Sequence, residues 1–266
     1  MPSCDYLFTT KPSEIQAAFV SDLHLSADTP RLTQAFIALI NDLCQLPNLV
    51  SLYILGDWLD AWLGDDTYLN LNPTDQAAHW LHPVITALKR LSDKRVQIFV
   101  MHGNRDFAIG QGLCRLFGGA LIDEPFVLTT ASQRIRLEHG DALCTDDVAY
   151  QRYRAVIRHP VVRFLLAKLP LTFRQKLAGN IKNKSKADKA QKTTAIMDAN
   201  ADAIKAALTG YDVLLHGHTH RPAVHHDAVD AGKTRIVLGD WRDDGQKVQA
   251  EIGFLVQEQL VLAEFG

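Results

Sequence analysis

The sequence predicts an α/β fold in which sheets and helices are layered as a sandwich. Strand and helix patterns alternate along the first half of the chain, and strands that read as hairpins predominate towards its end. The chain has 266 residues, 47% hydrophobic and 22% charged, so it can bury a substantial core. We expect one domain over residues 15–266 with an insertion. A short polar extension over residues 1–14 is expected to precede it, with Cys4 in a frayed tail.

The first half of the chain is predicted to form three buried strands and the helices that connect them. Each strand is a short apolar run, and each helix has apolar residues at helical spacing. Gly118 and Gly119 form a natural stop for the last of these helices. The predicted elements are a strand over residues 17–21, a helix over 33–46, a strand over 49–55, a helix over 76–91, a strand over 96–101 and a helix over 110–117.

The second half is predicted to hold a basic helical insertion over residues 146–208, between further strands. From Arg152 to Lys192 there are twelve lysines and arginines but one acid, Asp188, although the net charge of the chain is −2. Such a block suggests an anionic ligand or surface, and a solvated helical face is the alternative. The predicted strands are two antiparallel strands over 126–130 and 134–137, one over 211–215, and three near 235–238, 249–256 and 260–263.

Composition and motifs argue against several classes of protein. The four cysteines are widely spaced and form no CxxC pair, which is typical of reduced thiols in a reducing compartment. No apolar run is long enough to span a bilayer, and the first twenty residues lack the features of a signal peptide. We therefore expect cytoplasmic residence. The aromatic residues of the insertion lie in apolar helix patterns and do not alternate with its lysines, which argues against nucleic-acid binding.

Five predicted strands end in residues that can bind a metal ion. In open α/β folds ligands gather beyond the carboxyl ends of strands, so we expect these side chains to converge. Any one of them alone would more often be a turn residue or a solvent-facing histidine. Their coincidence favours a metal site. The candidate ligands are Asp22, His24, Asp57, Asn104, His139, His218 and His220.

The chemistry of these ligands indicates phosphoester or phosphoanhydride hydrolysis. Imidazoles, carboxylates and one amide oxygen, without a thiolate, favour Mn, Fe or Zn. One carboxylate can bridge two cations, and Asp57 is the candidate because Gly56 lets the preceding strand turn tightly. Two cations about 3.5–4 Å apart can hold a hydroxide at neutral pH and neutralise phosphoryl oxygens.

The motifs resemble the signature of the calcineurin-like metallophosphoesterases. They are Asp22-x-His24, Gly56-Asp57-x-x-Asp60, Gly103-Asn104, His139 and Gly217-His218-x-His220. The resemblance implies a sandwich of two mixed β-sheets flanked by helices, and a hydroxide between two metals as the nucleophile. It also implies two sets of ligands that share Asp57. The first metal would be held by Asp22, His24, Asp57 and His220, and the second by Asp57, Asn104, His139 and His218.

Arg105 departs from that family, which usually has histidine after the Gly-Asn pair. Arginine suits bidentate phosphate recognition but is a poor proton donor. An alkoxide leaving group needs a proton, whereas a phosphate, with a second pKa near 6, does not. Arg105 therefore favours cleavage of a diphosphate. The alternative is that Arg105 only pairs with Asp106.

Longer segments resemble the UDP-2,3-diacylglucosamine pyrophosphohydrolases of lipid A biosynthesis. These segments are residues 56–66, 103–107, 139–147 and 216–222. The resemblance implies a Mn²⁺-dependent enzyme that releases UMP and leaves 2,3-diacylglucosamine 1-phosphate (lipid X), through attack on the α phosphorus. It assigns catalysis to Asp57, Asn104, Arg105, His139 and His218. It assigns contacts with the substrate head group to Asn104, Arg105, Asp147, Ser185, Lys189, Lys192 and His218; some relatives carry asparagine at the position of Lys189.

The insertion is predicted to act as a helical lid. An apolar run from Val161 to Leu177 is laced with basic residues, which suits two acyl chains and an anionic membrane surface. We therefore expect peripheral association with the cytoplasmic face of the inner membrane, no nucleic-acid partner and no obligate protein partner. Packing of the insertion on the sandwich is the alternative reading.

Two other functions remain open at this point. The first is a different metallophosphoesterase that cleaves nucleotides or nucleic acids, which would have no use for an acyl chamber. The second is a scaffold without catalysis, which the seven filled ligand positions oppose. Asp60, Asp65 and Asp66 are expected to brace the loop after the second strand.

Overall fold

The computed structural model describes residues 1–179 and 198–266 of the chain. Its strands are assigned to two sheets. They are β1 (Ile15–Val20), β2 (Ser51–Leu55), β3 (Gln97–Met101), β4 (Ala120–Ile122), β5 (Phe126–Thr129), β6 (Arg134–Leu137), β7 (Val213–His216), β8 (Ala223–His225), β9 (Thr234–Val237), β10 (Arg242–Asp243), β11 (Val248–Val256) and β12 (Gln259–Phe265).

Both sheets are mixed, which confirms the predicted fold class. The first sheet has the order β10-β11-β1-β2-β3-β4, and β12 also pairs with β11. Strands β1 to β4 run parallel, whereas β11 is antiparallel to β1. The second sheet has the order β5-β6-β7-β9-β8, with β6, β7 and β9 parallel and the outer pairs antiparallel. Strands β4, β8 and β10 are additions to the elements that the sequence predicts.

The two sheets pack face to face. Because successive residues of a strand point to opposite faces, β1 contributes Phe19 to the layer between the sheets and Val20 to the layer beneath the helices. Between the sheets the ring of Phe19 stacks on Tyr53 at 5.1 Å, and Tyr53 stacks on Phe99 at 4.9 Å. This packing fixes the strand ends from which the site is built.

The helices flank the first sheet and form the insertion. Pro83 explains why the predicted helix over 76–91 is two helices, because a proline near the start of a helix cannot extend the preceding one. The helices are α1 (Cys4–Thr10), α2 (Pro30–Leu43), α3 (Asp66–Leu69), α4 (Pro73–Ala78), α5 (His82–Asp93), α6 (Gln111–Arg115), α7 (Val148–Ile157), α8 (Pro160–Lys168), α9 (helical over 171–179) and α10 (Ala201–Ala207).

The N-terminal segment is not frayed, so that expectation is wrong. Ser3 caps α1 by accepting a hydrogen bond from the backbone N–H of Tyr6 at 3.1 Å. Cys4 and Leu7 are buried in the core, and the helix packs beside β12. The domain boundary at residue 15 stays a prediction.

The insertion divides into two parts. Within residues 148–179, Arg174 is the only buried side chain. By contrast, α10 packs on the sandwich through Ile204 and Ala207, which contact the cluster around Leu143 and Leu214. Across the described parts of the chain, none of the helices combines the length and the apolar character that crossing a membrane requires. The alternative of packing on the sandwich therefore holds for α10, whereas the side chains of α7 to α9 are mostly not buried, and the lid stays a prediction.

Candidate metal centre

The carboxyl ends of five strands converge in one place. Parallel strands β1, β2 and β3 lead to Asp22 and His24, to Asp57 and to Asn104. Parallel strands β6 and β7 of the facing sheet lead to the three remaining candidates, His139, His218 and His220. The structure brings these side chains together: five of them supply the two groups of ligand atoms described next, and Asn104 and His218 lie beside His139.

The first group contains Asp22, His24 and His220, whose ligand atoms all lie within 4.8 Å of one another. Oδ1 of Asp22 is 3.3 Å from Nε2 of His220. Both ring nitrogens of His24 are buried, and neither has a hydrogen-bond partner among the residues that the structure describes. A buried polar atom without a partner is costly, so these nitrogens are matched to a ligand that the protein chain itself does not supply.

The second group contains Asp22, Asp57 and His139, again within 4.8 Å. Nε2 of His139 lies 3.8 Å from Oδ1 of Asp57 and 3.2 Å from Oδ1 of Asn104, and the ring of His218 is centred 5.1 Å from that of His139. Oδ2 of Asp57 also lies 3.9 Å from Nδ1 of His24. Asp22 is the member that the two groups share. The carboxylate of Asp57 also lies between them, with Oδ1 towards His139 and Oδ2 towards His24, as a bridging ligand would.

The local backbone at these strand ends is unusual. Five of the seven candidates have a positive φ, a conformation that residues other than glycine seldom adopt. The angles are 54° at Asp22, 50° at His24, 50° at Asp57, 66° at His218 and 54° at His220. Such strain of about 1–3 kcal/mol per residue concentrates at functional sites. Glycine is needed beside them, because a Cβ at Gly103 would lie 2.1 Å from Oδ1 of Asp57.

Two buried carboxylates hold the loops in place. Oδ2 of Asp22 accepts hydrogen bonds from Oγ of Ser21 at 2.7 Å and from the backbone N–H of His218 at 2.8 Å. Asp106 accepts three backbone N–H groups, those of Gly103 at 2.7 Å, Trp58 at 2.8 Å and Leu59 at 3.3 Å. Asp22 thereby links the two sheets, and Asp106 links the loops that carry Asp57 and Asn104.

Arg105 does not pair with Asp106. Its guanidinium forms an ion pair with Asp60, and its Nε lies 3.8 Å from Oδ2 of Asp57. Its backbone N–H donates to Oδ1 of Asp57 at 2.8 Å. The side chain is 33% exposed, so Asp60 holds a cation at the open side of the site. The alternative that Arg105 only pairs with Asp106 is therefore wrong, because Asp106 is occupied by backbone donors.

The protein's own groups shift one another's pKa values strongly. Burial tends to raise the pKa of Asp22, but its hydrogen bond with His220 and the charge of His139 outweigh burial and lower it. Burial raises the pKa of Asp57 to about 7. Burial lowers the pKa of His24 to about 4, and burial together with the charge of His139 lowers that of His218 to about 3.

His139 and His220 shift in the opposite direction. Burial would lower the pKa of His139, but the carboxylates of Asp57 and Asp22 raise it to about 9. Burial would also lower the pKa of His220, but hydrogen bonds with Asp22 and Asp240 raise it to about 9. A cation that takes these imidazoles as ligands must displace their protons.

The donor set fits a divalent metal centre. The two buried nitrogens of His24 lack hydrogen-bond partners among the described residues. Nδ1 of His139 lies 3.0 Å from the carbonyl oxygen of Leu55, and Nδ1 of His220 lies 3.2 Å from Oδ2 of Asp240. Such contacts leave Nε2 facing the site and fix the ring, as is usual for histidines that bind metal.

The sequence reasoning overlooked Asp240. It follows β9 as Leu238-Gly239-Asp240, the same pattern of strand, glycine and aspartate that singled out Asp57. The signal for Asp240 is therefore present in the sequence. Among the predicted substrate contacts, Asp147 is the N-cap of α7 and accepts from the backbone N–H of Tyr150 at 3.1 Å. Ser185, Lys189 and Lys192 lie outside the described residues.

Comparison with known proteins defines the class to which this site belongs. A family model described as calcineurin-like phosphoesterase matches residues 15–222. The chain therefore belongs to the calcineurin-like phosphoesterases, and the first resemblance is confirmed.

The more similar relatives carry one particular name. The chain is 40% identical to a UDP-2,3-diacylglucosamine hydrolase of Pseudomonas syringae pv. tomato over 235 residues, which cover 87% of this chain and 90% of that protein. It is also 40% identical to a UDP-2,3-diacylglucosamine hydrolase of Pseudomonas entomophila over 251 residues, which cover 93% and 98% of the two chains. These relatives confirm the second resemblance and the expectation that the chain is a hydrolase.

Proposed function

We propose that the chain hydrolyses the diphosphate of UDP-2,3-diacylglucosamine to UMP and 2,3-diacylglucosamine 1-phosphate, a step of lipid A biosynthesis. One observation carries the proposal: five candidate ligands form two groups at the strand ends, Asn104 and His218 lie beside them, and the carboxylate of Asp57 lies between His24 and His139. The relatives named UDP-2,3-diacylglucosamine hydrolase indicate the substrate.

The proposed cofactor is a pair of Mn²⁺ ions that share Asp57. Asp22, His24 and His220 complete one set of ligands, and Asn104, His139 and His218 complete the other. Divalent cations at such a site supply Lewis acidity towards phosphoryl oxygens and a water molecule activated at neutral pH. The mixture of imidazole, carboxylate and amide donors favours transition metals over magnesium or calcium.

Arg105 is proposed to bind the phosphate groups. A guanidinium has five N–H donors, so its ion pair with Asp60 leaves other donors for phosphate oxygens. It cannot act as an acid at neutral pH, and the sugar 1-phosphate that leaves after attack on the α phosphorus needs no proton. Together with Asn104 and His218, Arg105 would orient the diphosphate for that attack.

The exposed part of the insertion is proposed to hold the acyl chains and to lie on the membrane. Phe164 and Phe173 are more than half exposed, although both are large and apolar. Nζ of Lys168 lies 5.4 Å above the ring of Phe164, which places a cation beside the apolar surface. The other strongly exposed apolar side chains of this part are Val148, Val156, Val161 and Leu165.

This surface is attached directly to the loop of the metal centre. Nη1 of Arg174, the buried residue of α9, donates to Oδ1 of Asp66 at 2.8 Å. The same guanidinium also donates to the carbonyl oxygen of Leu63. Asp66 is the first residue of α3, at the end of the loop that begins with Asp57. The proposed location is therefore the cytoplasmic face of the inner membrane, where such a surface meets acyl chains and anionic head groups.

A UMP-release assay tests the substrate. Initial rates are compared for UDP-2,3-diacylglucosamine and for UDP-sugars that lack acyl chains, with the Asp22→Ala variant as the control for contaminating activity. We expect release from the acylated substrate to be faster by a large factor. Equal rates would show that the acyl chains play no role in recognition. If neither UDP-sugar were hydrolysed but nucleotide phosphodiesters were, the alternative phosphodiesterase function would be favoured.

A further inference from the structure

Two carboxylates with little exposure and two partly exposed arginines form a charged cluster beside the candidate metal centre. Oε2 of Glu124 lies 2.6 Å from Nη2 of Arg154 and 2.7 Å from Nη1 of Arg158. Oδ2 of Asp141 lies 3.0 Å from Nε of Arg154 and 3.0 Å from Nη2 of Arg158. Asp141 is fully buried, and the side chain of Glu124 is 8% exposed. None of the four is a candidate metal ligand, so the cluster needs a separate explanation.

Glu124 connects this cluster to a metal-ligand candidate. Its other oxygen, Oε1, accepts hydrogen bonds from the backbone N–H of His139 at 2.7 Å and of Gly140 at 3.4 Å. Glu124 lies between β4 and β5, whereas His139 follows β6. The carboxylate therefore fixes the position of the peptide that carries the imidazole of His139.

Tyr150 connects the same cluster to a second candidate. Its hydroxyl donates to Oδ2 of Asp141 at 2.5 Å, and its ring lies 6.3 Å from that of His218 with an angle of 23° between the planes. Tyr150 and Arg154 lie in α7, the first helix of the insertion, and Arg158 is the residue that caps its C-terminal end. Both His139 and His218 are thus contacted, directly or through one partner, by groups that α7 holds in place.

We propose that Arg154 and Arg158 are positioning residues that make the geometry of His139 and His218 depend on the seating of α7. The proposal rests on the proposed function, since it assigns these two histidines to the second metal. If α7 moved away, two buried carboxylates would each lose two cationic partners, and buried charges are tolerated only when paired. The insertion and the metal centre are therefore coupled, and the coupling must act in both directions.

The predicted effect is selective. Removing a residue that supports a metal ligand lowers metal affinity by about 10- to 100-fold. We expect Arg154→Met and Arg158→Met to weaken binding of the second Mn²⁺ by about this factor and to leave the first Mn²⁺ within about threefold of wild type. Arg158→Lys should recover part of the loss, since it keeps the charge but not the two-pronged geometry.

The experiment is a Mn²⁺ titration of the full chain, followed by the electron paramagnetic resonance signal of free Mn²⁺. Arg152→Met is the matched control, because Arg152 lies on the exposed side of the same helix. Asp240→Asn is the complementary variant. Because Asp240 contacts His220, this substitution should weaken binding of the first Mn²⁺ and not of the second. Anomalous scattering from Mn²⁺ in crystals identifies which metal is lost, and thermal melting shows that each variant folds.

Hydrogen exchange of the wild-type protein gives a second measurement that requires no variant. Because the coupling is reciprocal, saturation with Mn²⁺ should slow amide exchange in α7 more than in α2, which lies on the first sheet away from the cluster. Unchanged exchange in α7 would overturn the proposal, whatever the arginine variants do.

The outcomes separate this proposal from the proposed function. If the folded Arg154→Met and Arg158→Met variants bind both Mn²⁺ ions with wild-type affinity, the coupling is overturned and the proposed function stands. The same holds if both variants bind the two Mn²⁺ ions with equally reduced affinity. A wild-type protein that binds two Mn²⁺ but releases no UMP would refute the substrate alone. A wild-type protein that takes up no Mn²⁺ would refute both.

Discussion

Replacement of Phe164 and Phe173 by serine tests the apolar surface of the insertion. Both rings project from helices that bury none of their apolar residues, and they are 62% and 53% exposed. If acyl chains or lipid cover them, the exposed fraction of each ring becomes buried on binding. The double variant should therefore bind lipid more weakly and otherwise resemble the wild type, because neither ring supports the core.

The size of the effect follows from the exposed fractions. Complete burial of a phenylalanine side chain stabilises by about 1.5–3 kcal/mol. Scaling this value by 62% and 53% gives about 1.7–3.5 kcal/mol for the two rings together, which corresponds to a roughly 20- to 400-fold loss of affinity. The loss should appear in the KM for acylated substrate in mixed micelles and in binding to vesicles that contain anionic lipid.

A matched pair of valines supplies the control. Val161 on α8 is 58% exposed, and Val50 at the opposite end of the parallel strands is 56% exposed. Val161→Ser should weaken vesicle binding, whereas Val50→Ser should not. Hydrolysis of a soluble phosphodiester that lacks acyl chains should be unchanged in every variant. If the double phenylalanine variant bound vesicles and acylated substrate as tightly as wild type, the insertion would not be the acyl-binding surface.

Four further predictions concern the metal centre and its attachment to the insertion. Asp22→Ala and His139→Ala should abolish turnover and retain the circular dichroism spectrum, and retained turnover would refute the two-metal site. EDTA should inactivate the enzyme, and Mn²⁺ should restore the rate better than Mg²⁺; insensitivity to EDTA would refute metal dependence. Because the pKa values of His139 and His220 are raised to about 9, protons compete with the cation for these two imidazoles below pH 9. Metal affinity should therefore fall by roughly 10- to 100-fold per pH unit below pH 9. Calorimetry that found no proton release on metal binding at pH 7 would contradict this. Asp66→Asn should weaken the contact with Arg174 and speed proteolysis within residues 148–179. It should also raise the KM for acylated substrate, with less effect on kcat. An unchanged KM would show that this contact does not hold the proposed lid.

The meeting of the candidate ligands was predictable because each of them follows directly on a strand in the sequence. Asp57 and Asn104 each follow a short apolar run at once, and a strand places its next residues at a known edge of the sheet. No contact between distant segments was needed to propose that they meet. The same rule applies to Asp240, which follows β9 and a glycine.

Other features depend on contacts between distant segments. Cys4 and Leu7 are the buried residues of α1, and their burial depends on β12 at the other end of the chain. Arg105 is next to Asp106 in the sequence, yet its guanidinium pairs with Asp60, because backbone N–H groups such as that of Trp58 occupy the carboxylate of Asp106. Charge pairings of this kind are decided by tertiary packing and cannot be read from spacing alone.

The cluster around Glu124 illustrates the same limit. Its two arginines belong to a segment whose charge suggested solvent or an anionic surface, yet they neutralise two carboxylates more than ten residues away in sequence. The net charge of the segment therefore overestimates how many of its basic side chains are available to solvent or to an anionic surface. The apolar run of the same segment left a lid and packing on the sandwich equally open, because exposure of residues such as Phe164 depends on what the helices meet.

The left-handed backbone of five ligand candidates has a consequence for metal selectivity. The fold holds these residues in a backbone conformation with positive φ. The carboxylates of Asp22 and Asp57 also accept hydrogen bonds from backbone N–H groups. A frame that is already stiff cannot expand to suit a large ion. Calcium prefers six to eight oxygen ligands at about 2.3–2.6 Å, and this frame offers mainly imidazole nitrogens in a confined space. The strain stored in the loops should therefore act as a size filter that excludes calcium while it admits smaller transition metals.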